Sequence, residues 1–322
     1  MYTWLQRLLV KSFLPIILVV CYVGFGLMEP NFRTFSNFLN ILQQASYLTM
    51  LAAAQMVLLI TRGFDLSVGT VIGMISVASS LVMVSVLKGD PAAFHSAVWW
   101  AWVVGLSLGF GVGAVNGFCV AYLGLSPFMV TLGMMGIGLG FASTISGGFP
   151  VFDVPAAYVD LLSRASLFGL PVAVAVCIIV LGIVYFLLKF TVFGRCLYLI
   201  GSNPWGAFVA GLSTRFNLAW AYVVCSLIVA VVALMLTART GSGEPRLGLS
   251  LMFESLMAAI IGGVALSGGE GHVLHCILGG LFVTILSNGM NMLRMDANIQ
   301  LMILGAILIA TIFIDRLRAH IR

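Results

Sequence analysis

Two carboxylates stand within or beside apolar sequence, where an ionisable group is costly and usually has a specific role. Asp65 lies in residues 61–67, which interrupt a long apolar run, and Glu254 lies at the start of another apolar segment. An acid at the start of a helix can cap it and interact favourably with its dipole, or it can face an aqueous cavity. Two interpretations therefore stay open: capping or substrate contact for Asp65, and capping or lining an outer pathway mouth for Glu254.

Uncharged polar residues recur inside the apolar segments. In such surroundings these side chains join helices by hydrogen bonds or present hydrogen-bonding groups to a solute. Asn288 and Asn291 are three apart, on one helical face, and form the best candidate pair for lining a pathway. Both interpretations stay open for the whole group, which comprises Asn116, Thr131, Asn288, Asn291 and Gln300.

Motifs that could support catalysis or cofactor binding are incomplete. Residues 266–270 read Leu-Ser-Gly-Gly-Glu, close to a signature of ATP-hydrolysing domains, but the chain has no G-x-x-x-x-G-K-[ST] phosphate loop. His272 and His275 have no further metal ligands near them in sequence. We therefore interpret residues 266–270 as a connection between helices, and predict a non-enzymatic chain that binds no metal or cofactor.

The composition indicates that most of the chain is surrounded by lipid rather than water. Of 322 residues, 61% are hydrophobic and 8% are charged, with a mean hydropathy of +1.16, whereas soluble domains carry about 25% charged residues. Because about 20 residues cross a bilayer, the length allows some ten crossings and no additional soluble domain. The net charge of +5 comes from scattered basic residues, so a nucleic-acid partner is not expected. We predict one all-α, polytopic membrane domain over residues 1–322.

Ten apolar segments fit this prediction, with residues 61–67 forming either a tight turn or a broken helix between the second and third. Lys and Arg are more numerous on the side that holds both chain ends, including Arg7, Lys11, Arg316, Arg318 and Arg322, which predicts cytoplasmic termini. The long polar loop 190–214 then lies inside and suits docking of another protein. The segments are 13–28, 41–61, 67–87, 98–123, 128–146, 166–189, 216–237, 251–266, 272–292 and 298–315.

Glycines occur every fourth residue along the fourth segment, from Gly105 through Gly109 and Gly113 to Gly117. Small residues at this spacing allow two helix backbones to approach closely. The stripe therefore predicts helix packing.

Four ordered sequence blocks resemble the membrane permeases of bacterial ABC importers for simple sugars, the ribose/galactose/xylose group. Residues 59–69 read Leu-Ile-Thr-Arg-Gly-Phe-Asp-Leu-Ser-Val-Gly, similar to T-G-G-I-D-L-S-V-G. Residues 115–133 are similar to N-G-x-x-V-A-x-L-x-x-x-P-F-I-V-T-L-G, and residues 193–203 to F-G-R-x-x-Y-A-I-G-x-N. The fourth block is residues 260–271, Ile-Ile-Gly-Gly-Val-Ala-Leu-Ser-Gly-Gly-Glu-Gly. Two departures are Arg62, where the family usually has glycine, and Glu254, where it has aspartate.

The resemblance implies a type II ABC importer-like permease fold in the bacterial inner membrane. It implies a dimeric pore with a second copy or a paralogue, two ABC ATPase subunits that use ATP and Mg²⁺, and a periplasmic sugar-binding protein. A coupling helix within about 190–214 would dock on the ATPase. The coupling residues would be Gly194, Arg195, Gly201, Asn203, Ala207 and Gly211, and the pathway candidates are Asp65, Asn116, Thr131, Glu254, Asn288 and Asn291.

Other functions remain as alternatives. A branched-chain amino-acid permease of the same superfamily matches the quoted blocks less closely. An ion-coupled secondary transporter usually places carboxylates in mid-membrane, whereas the acids here lie mostly at the ends of apolar segments. A membrane enzyme lacks a clustered nucleophile, base or metal set.

Overall fold

The computed structural model describes the backbone of residues 4–321 and the side chains of residues 14–311 and 313. The described chain is almost entirely helical; a short antiparallel pair, β1 (Ser166–Leu167) and β2 (Leu170–Pro171), precedes α7. The helices are α1 (Trp4–Met28), α2 (Phe35–Leu59), α3 (Val68–Gly89), α4 (Phe94–Ala121), α5 (Pro127–Ser146), α6 (Ala156–Val159), α7 (Val172–Phe190), α8 (Val192–Ser202), α9 (Pro204–Val209), α10 (Thr214–Thr240), α11 (Leu249–Gly262), α12 (Val273–Met292) and α13 (Ala297–Ile321).

Each of the ten apolar segments contains a helix or most of one, so the all-α, multi-pass prediction is confirmed. Two predicted bounds were wrong: residues 166–171 form the β1–β2 pair, and α11 ends at Gly262 rather than at residue 266. Seven helices in the described part are long and apolar enough to cross a membrane: α2, α3, α4, α5, α7, α10 and α12. Helices α1, α11 and α13 contribute shorter apolar stretches, and the count of ten crossings stays a prediction. The orientation also stays a prediction, because Arg7, Lys11, Arg316, Arg318 and Arg322 lie outside the residues whose side chains are described.

Helices α2 and α10 form the centre of the bundle. Helix α2 packs against α7, α10, α11 and α12, and α10 also packs against α3 and α4. Consecutive Ala52, Ala53 and Ala54 on α2 are fully buried, and their small side chains allow several helices to approach α2 at one level. The outer helices α5 and α7 instead expose large apolar side chains, as expected where lipid or another protein is the neighbour.

The glycine stripe of α4 packs against α10, which confirms the prediction of helix packing. A Cβ on Gly109 would lie 2.7 Å from Ala230 Cβ, and one on Gly113 would lie 2.7 Å from Val223 Cα. Such distances leave no room for a side chain, so the two backbones are in direct contact along the stripe.

The connection between α2 and α3 turns back into the bundle. After the turn at residues 60–62, the Gln55 side chain holds the backbone of Asp65: Gln55 Nε2 donates to Asp65 O at 2.7 Å, and Asp65 N donates to Gln55 Oε1 at 3.2 Å. Residues 63–67 therefore run back along the last turn of α2, and α3 begins inside the bundle. The helical stretch is thus interrupted between α2 and α3 by a turn, followed by a non-helical segment that re-enters the bundle.

A second connection, residues 241–248, runs along α3. Gly243 packs against Ser76 and Ser80, and Gly248 packs against Gly69. The Glu244 amide donates to Ser76 Oγ at 3.2 Å, which satisfies one of its exposed backbone groups. Non-helical backbone at this depth requires such partners.

Candidate functional site

Asp65 belongs to a buried polar cluster at the start of α3. Its Oδ1 accepts hydrogen bonds from Ser67 N at 2.7 Å and from Ser67 Oγ at 2.5 Å. Asn116 Nδ2 on α4 donates to Ser67 Oγ at 3.2 Å and to Asp65 Oδ2 at 3.4 Å. Asp65, Ser67 and Asn116 are each almost completely buried. Asp65 therefore holds the backbone of Ser67, the residue that precedes α3, and is not itself the cap of that helix. The same cluster includes Asn116, and contact of either residue with a solute stays a prediction.

Two of the predicted pathway residues connect α12 to different neighbours. Asn288 Oδ1 accepts from Asn37 Nδ2 on α2 at 3.1 Å, and Asn291 Oδ1 accepts from Gln300 Nε2 on α13 at 2.9 Å. These bonds match the helix-joining interpretation. Although three apart, the two amides do not converge on one site.

Thr131 is fully buried, and its Oγ1 donates to the carbonyl of Pro127 at 2.8 Å. The hydroxyl thus bonds within the first turns of α5. Its contact with a solute stays a prediction.

Glu254 lies in the second turn of α11, since the helix begins at Leu249 rather than at residue 251. The proposal that Glu254 caps this helix is therefore wrong, because a cap must lie at the first residues of the helix. Its side chain is partly buried and has no hydrogen-bond partner within the described residues. Among the six pathway candidates, Glu254 is the residue with an ionisable side chain that has no hydrogen-bond partner within the described residues.

The predicted loop 190–214 folds into the two helices α8 and α9. Thr191 Oγ1 accepts from Gly194 N at 3.2 Å and caps α8, while Asn203 Oδ1 accepts from Gly206 N at 2.9 Å and caps α9. Gly211 follows α9 with φ 76°, the left-handed conformation that glycine adopts easily at a helix C-terminus. Polar and glycine residues of the loop thus set the two helix ends.

Helix α9 exposes an apolar surface. Trp205, Phe208 and Val209 are 72%, 61% and 68% exposed, and the Trp205 and Phe208 rings lie 5.8 Å apart. We call these three residues the α9 face. Ala207 points inward and is buried, and Arg195 is exposed on α8. The sequence analysis selected Ala207 and missed Trp205 and Phe208, whose aromatic character in a polar loop was the available signal.

Gly201 lies in a junction of three chain segments. A Cβ on Gly201 would overlap the Ile60 carbonyl oxygen and come within 2.5 Å of Gly269 N, while Gly269 N donates to Ile60 O at 2.8 Å. Arg62 Nε donates to Gly201 O at 2.7 Å and Nη2 to Ser202 O at 3.0 Å. Gly201 therefore serves close packing within the chain. Gly194 is similarly packed, against Leu187 and Leu188.

Tyr198 adds a side-chain contact to this junction. Its hydroxyl donates to Gly271 O at 2.7 Å. Burial, and to a lesser degree nearby Cys276, raises the pKa of Tyr198, which keeps the hydroxyl protonated as a donor. Residues 266–270 connect α11 and α12, as predicted.

His272 is also placed as the sequence indicated, at the start of a helix. Its Nδ1 accepts from Leu274 N at 3.2 Å at the start of α12, and its ring lies 6.2 Å from that of His275. Within the described residues, no group of three His, Cys, Asp or Glu side chains is arranged to hold a metal ion.

A polar cavity of about 310 Å³ lies between the start of α2 and residues 163–171. Asn40, Gln43 and Arg164 are among its lining residues. Next to it, Arg239 donates to Asn40 Oδ1 at 3.2 Å and lies over the Tyr47 ring at 5.6 Å. The sequence analysis missed this cavity because it is formed by residues 120 or more positions apart, as in the Gln43–Ser163 bond.

Comparison with known proteins identifies the family to which this chain is similar. A family model described as the permease component of branched-chain amino acid transport systems matches residues 37–312. The D-allose transport system permease protein AlsC of Escherichia coli K12 is 30% identical over 302 residues, covering 94% of this chain and 90% of the relative. No solved structure matches the chain.

The names of two further relatives also include a sugar. The ribose import permease protein RbsC of Escherichia coli K12 is 28% identical over 310 residues, covering 95% of this chain and 92% of the relative. The galactose/methyl galactoside import permease protein MglC of Haemophilus influenzae is 29% identical over 299 residues, covering 90% and 89%.

Proposed function

The chain belongs to the permease family of ABC transporters, and from this membership we propose that it imports a monosaccharide or a sugar-like solute. Members are multi-pass membrane subunits without catalytic activity, so this chain is the pore subunit and the energy comes from separate ATPases. An ion-coupled secondary transporter and a membrane enzyme are not favoured.

The sugar class rests on one observation: similarity to allose, ribose and galactose permeases extends over nearly the whole of each chain. The family model names branched-chain amino acids, whereas the relatives compared over the whole chain are named for allose, ribose and galactose. A periplasmic binding protein would deliver the solute and select it. The pore would then only need to release it.

Partners would contact opposite ends of the bundle. The α9 face would dock on an ABC ATPase, which binds ATP and Mg²⁺, while this chain binds no cofactor. The binding protein would dock at the other end, near residues 147–171. The pore would be completed by a second copy or a paralogue, surrounded by lipid of the bacterial inner membrane, with both termini cytoplasmic.

The solute pathway would pass polar side chains that differ in whether they already have hydrogen-bond partners. The polar candidates in the α2–α3 connection and on α4, α5 and α12 have hydrogen-bond partners inside the chain, and a solute would have to compete with them. Glu254 has a free carboxylate and is the pathway residue we favour. Glu254 also stands where the family that the sequence resembles has aspartate, so a carboxylate is retained at this position.

Co-purification from mild detergent tests the proposal. We expect an ABC ATPase to purify with the chain, and its turnover to rise with one binding protein loaded with allose, ribose, galactose or a related sugar. Stimulation by a leucine-loaded binding protein instead would replace the sugar by a branched-chain amino acid. A chain that purifies alone and moves solute in liposomes on an ion gradient, without ATP, would contradict the importer assignment.

A further inference from the structure

Arg62 occupies a backbone position that disfavours arginine. Its φ is 67°, in the left-handed region where a Cβ causes steric strain and glycine is the default residue. The side chain nevertheless makes two specific hydrogen bonds, to the carbonyls of Gly201 and Ser202. Something other than backbone preference therefore accounts for arginine at this position.

The two accepting carbonyls lie at the C-terminal end of α8. The last carbonyls of a helix lack partners within the helix, and a positive charge there interacts favourably with the helix dipole. Arg62 satisfies both requirements from a different chain segment, 139 and 140 residues away in sequence. Within the described residues, these are the hydrogen bonds that join the α2–α3 connection to α8.

Arg62 also stands between two rigid units. On one side, Asn203 follows Ser202 directly and caps α9, so the end of α8 is continuous with the α9 face. On the other side, Asp65 lies three residues after Arg62 and is held by Gln55 and by the cluster at the start of α3. The contacts between these units are the two hydrogen bonds of the Arg62 guanidinium and the packing of Gly201 against Ile60.

We propose that Arg62 is a positioning residue that transmits movement of α8 and α9 to the start of α3. This inference rests on the proposed importer function. When an ATPase docked on the α9 face shifts α8, the two hydrogen bonds carry that shift to residues 62–67, and thereby to the beginning of α3 inside the bundle. Without them, α8 contacts the α2–α3 connection through the packing of Gly201 against Ile60, which transmits the shift less completely, so ATP is hydrolysed with less solute moved.

The test measures solute imported per ATP hydrolysed in proteoliposomes that hold the complete complex. Arg62→Gly removes both hydrogen bonds and also relieves the backbone strain, so we expect it to assemble and to unfold near the parental temperature. The imported solute per ATP should fall about tenfold, which corresponds to a loss of about 1.4 kcal/mol of coupling free energy between α8 and the start of α3. A ratio equal to that of the parent would overturn the inference.

Arg294 provides a matched control. It also has a positive φ, 55°, and is exposed in the turn between α12 and α13, at the other end of α12 from the junction. Its side chain donates no hydrogen bond within the described residues. Arg294→Gly therefore relieves the same strain and removes the same charge, and should keep the parental ratio. An equal fall in both variants would assign the effect to charge or strain, and would overturn the role of Arg62.

Two other substitutions of Arg62 test the same hydrogen bonds. If Arg62→Gly does not assemble, Arg62→Asn removes the same bonds with a residue that tolerates the left-handed region, and its ratio decides in the same way. Arg62→Lys retains the charge and one donor group, so an intermediate ratio is expected. A parent complex that imports nothing with ATP would contradict the proposed function itself, whereas a working parent with an unaffected Arg62→Gly contradicts the inference alone.

Discussion

Helices α4 and α5 are both rich in glycine, but their glycines have different surroundings. On α4, Gly109 and Gly113 contact α10 so closely that no side chain fits. On α5, Gly133, Gly136 and Gly140 have no atom within 4 Å of a Cβ position. The space beside the α4 glycines is filled by α10 of the same chain, whereas the space beside the α5 glycines is empty.

This difference shows that small residues at helical spacing have two uses. Against α10 they allow two backbones of the same chain to pack directly, which contributes to the fold. On α5 they leave a shallow surface that only another molecule can fill. If the pore is a dimer, as we propose, that surface suits close approach of a second copy.

The largest expected effect comes from filling the closed stripe. Gly113→Val would place a branched side chain against Val223 Cα and the Tyr222 carbonyl, and overpacking against backbone should lower the free energy of unfolding by about 3 kcal/mol. Thermal unfolding in detergent measures this loss. Gly111→Val is the control, because Gly111 on the same helix has open space. Equal unfolding temperatures for the two variants would contradict the close packing of α4 and α10.

A smaller effect is expected from the second open surface, the α9 face. Trp205→Ala should weaken binding of the ATPase about thirtyfold, about 2 kcal/mol, the loss typical of an aromatic residue at the centre of an interface. Titration of the purified ATPase against the permease in detergent measures it. Because Trp205 is exposed, the unfolding temperature should not change.

Trp100 is the control for this variant, since it is also exposed but lies near the start of α4, on the opposite side of the bundle. Trp100→Ala should bind the ATPase like the parent. If Trp205→Ala does so too, the ATPase docks elsewhere.

The helices of the fold could be predicted from local sequence, whereas the course of the connections between them could not. Apolar runs located all ten long helices, and the spacing of Gly109 and Gly113 correctly indicated packing, because both signals lie within one element. The re-entrant segment after Arg62 depends on Gln55 binding the Asp65 backbone, a tertiary pairing that no periodicity reveals.

The candidate site was predictable to a similar extent. Residues 190–214 could be located by polarity and length, but the partner of Gly201 could not, since Ile60 lies far away in sequence. Glu254 was misplaced relative to its helix start because Leu249 and Ser250 carry no strong capping signal.

The open face of α5 gives the next smaller effect. Gly136→Val should weaken self-association of the permease about tenfold, about 1.4 kcal/mol, because the added side chain separates the two copies. Analytical ultracentrifugation in detergent measures the dimer fraction. Gly138→Val is the matched variant: Gly138 faces Thr70, whose Oγ1 lies 2.9 Å from a Cβ position, so that variant should instead lower the unfolding temperature. An unchanged dimer with Gly136→Val would assign this face to lipid.

The smallest effect is expected from losing a single hydrogen bond inside the chain, the one between Tyr198 and Gly271. Tyr198→Phe removes the hydroxyl that donates to Gly271 O and leaves that carbonyl without this donor, at a cost of about 1 kcal/mol in unfolding free energy. Denaturant unfolding in detergent measures the change, and Tyr122→Phe, an exposed tyrosine at the end of α4, should show none. Since Tyr198 joins α8 to the α11–α12 connection and not to α3, the solute imported per ATP should stay close to the parental value. A large fall in that ratio would mean that coupling passes through Tyr198 and Gly271 as well as through Arg62.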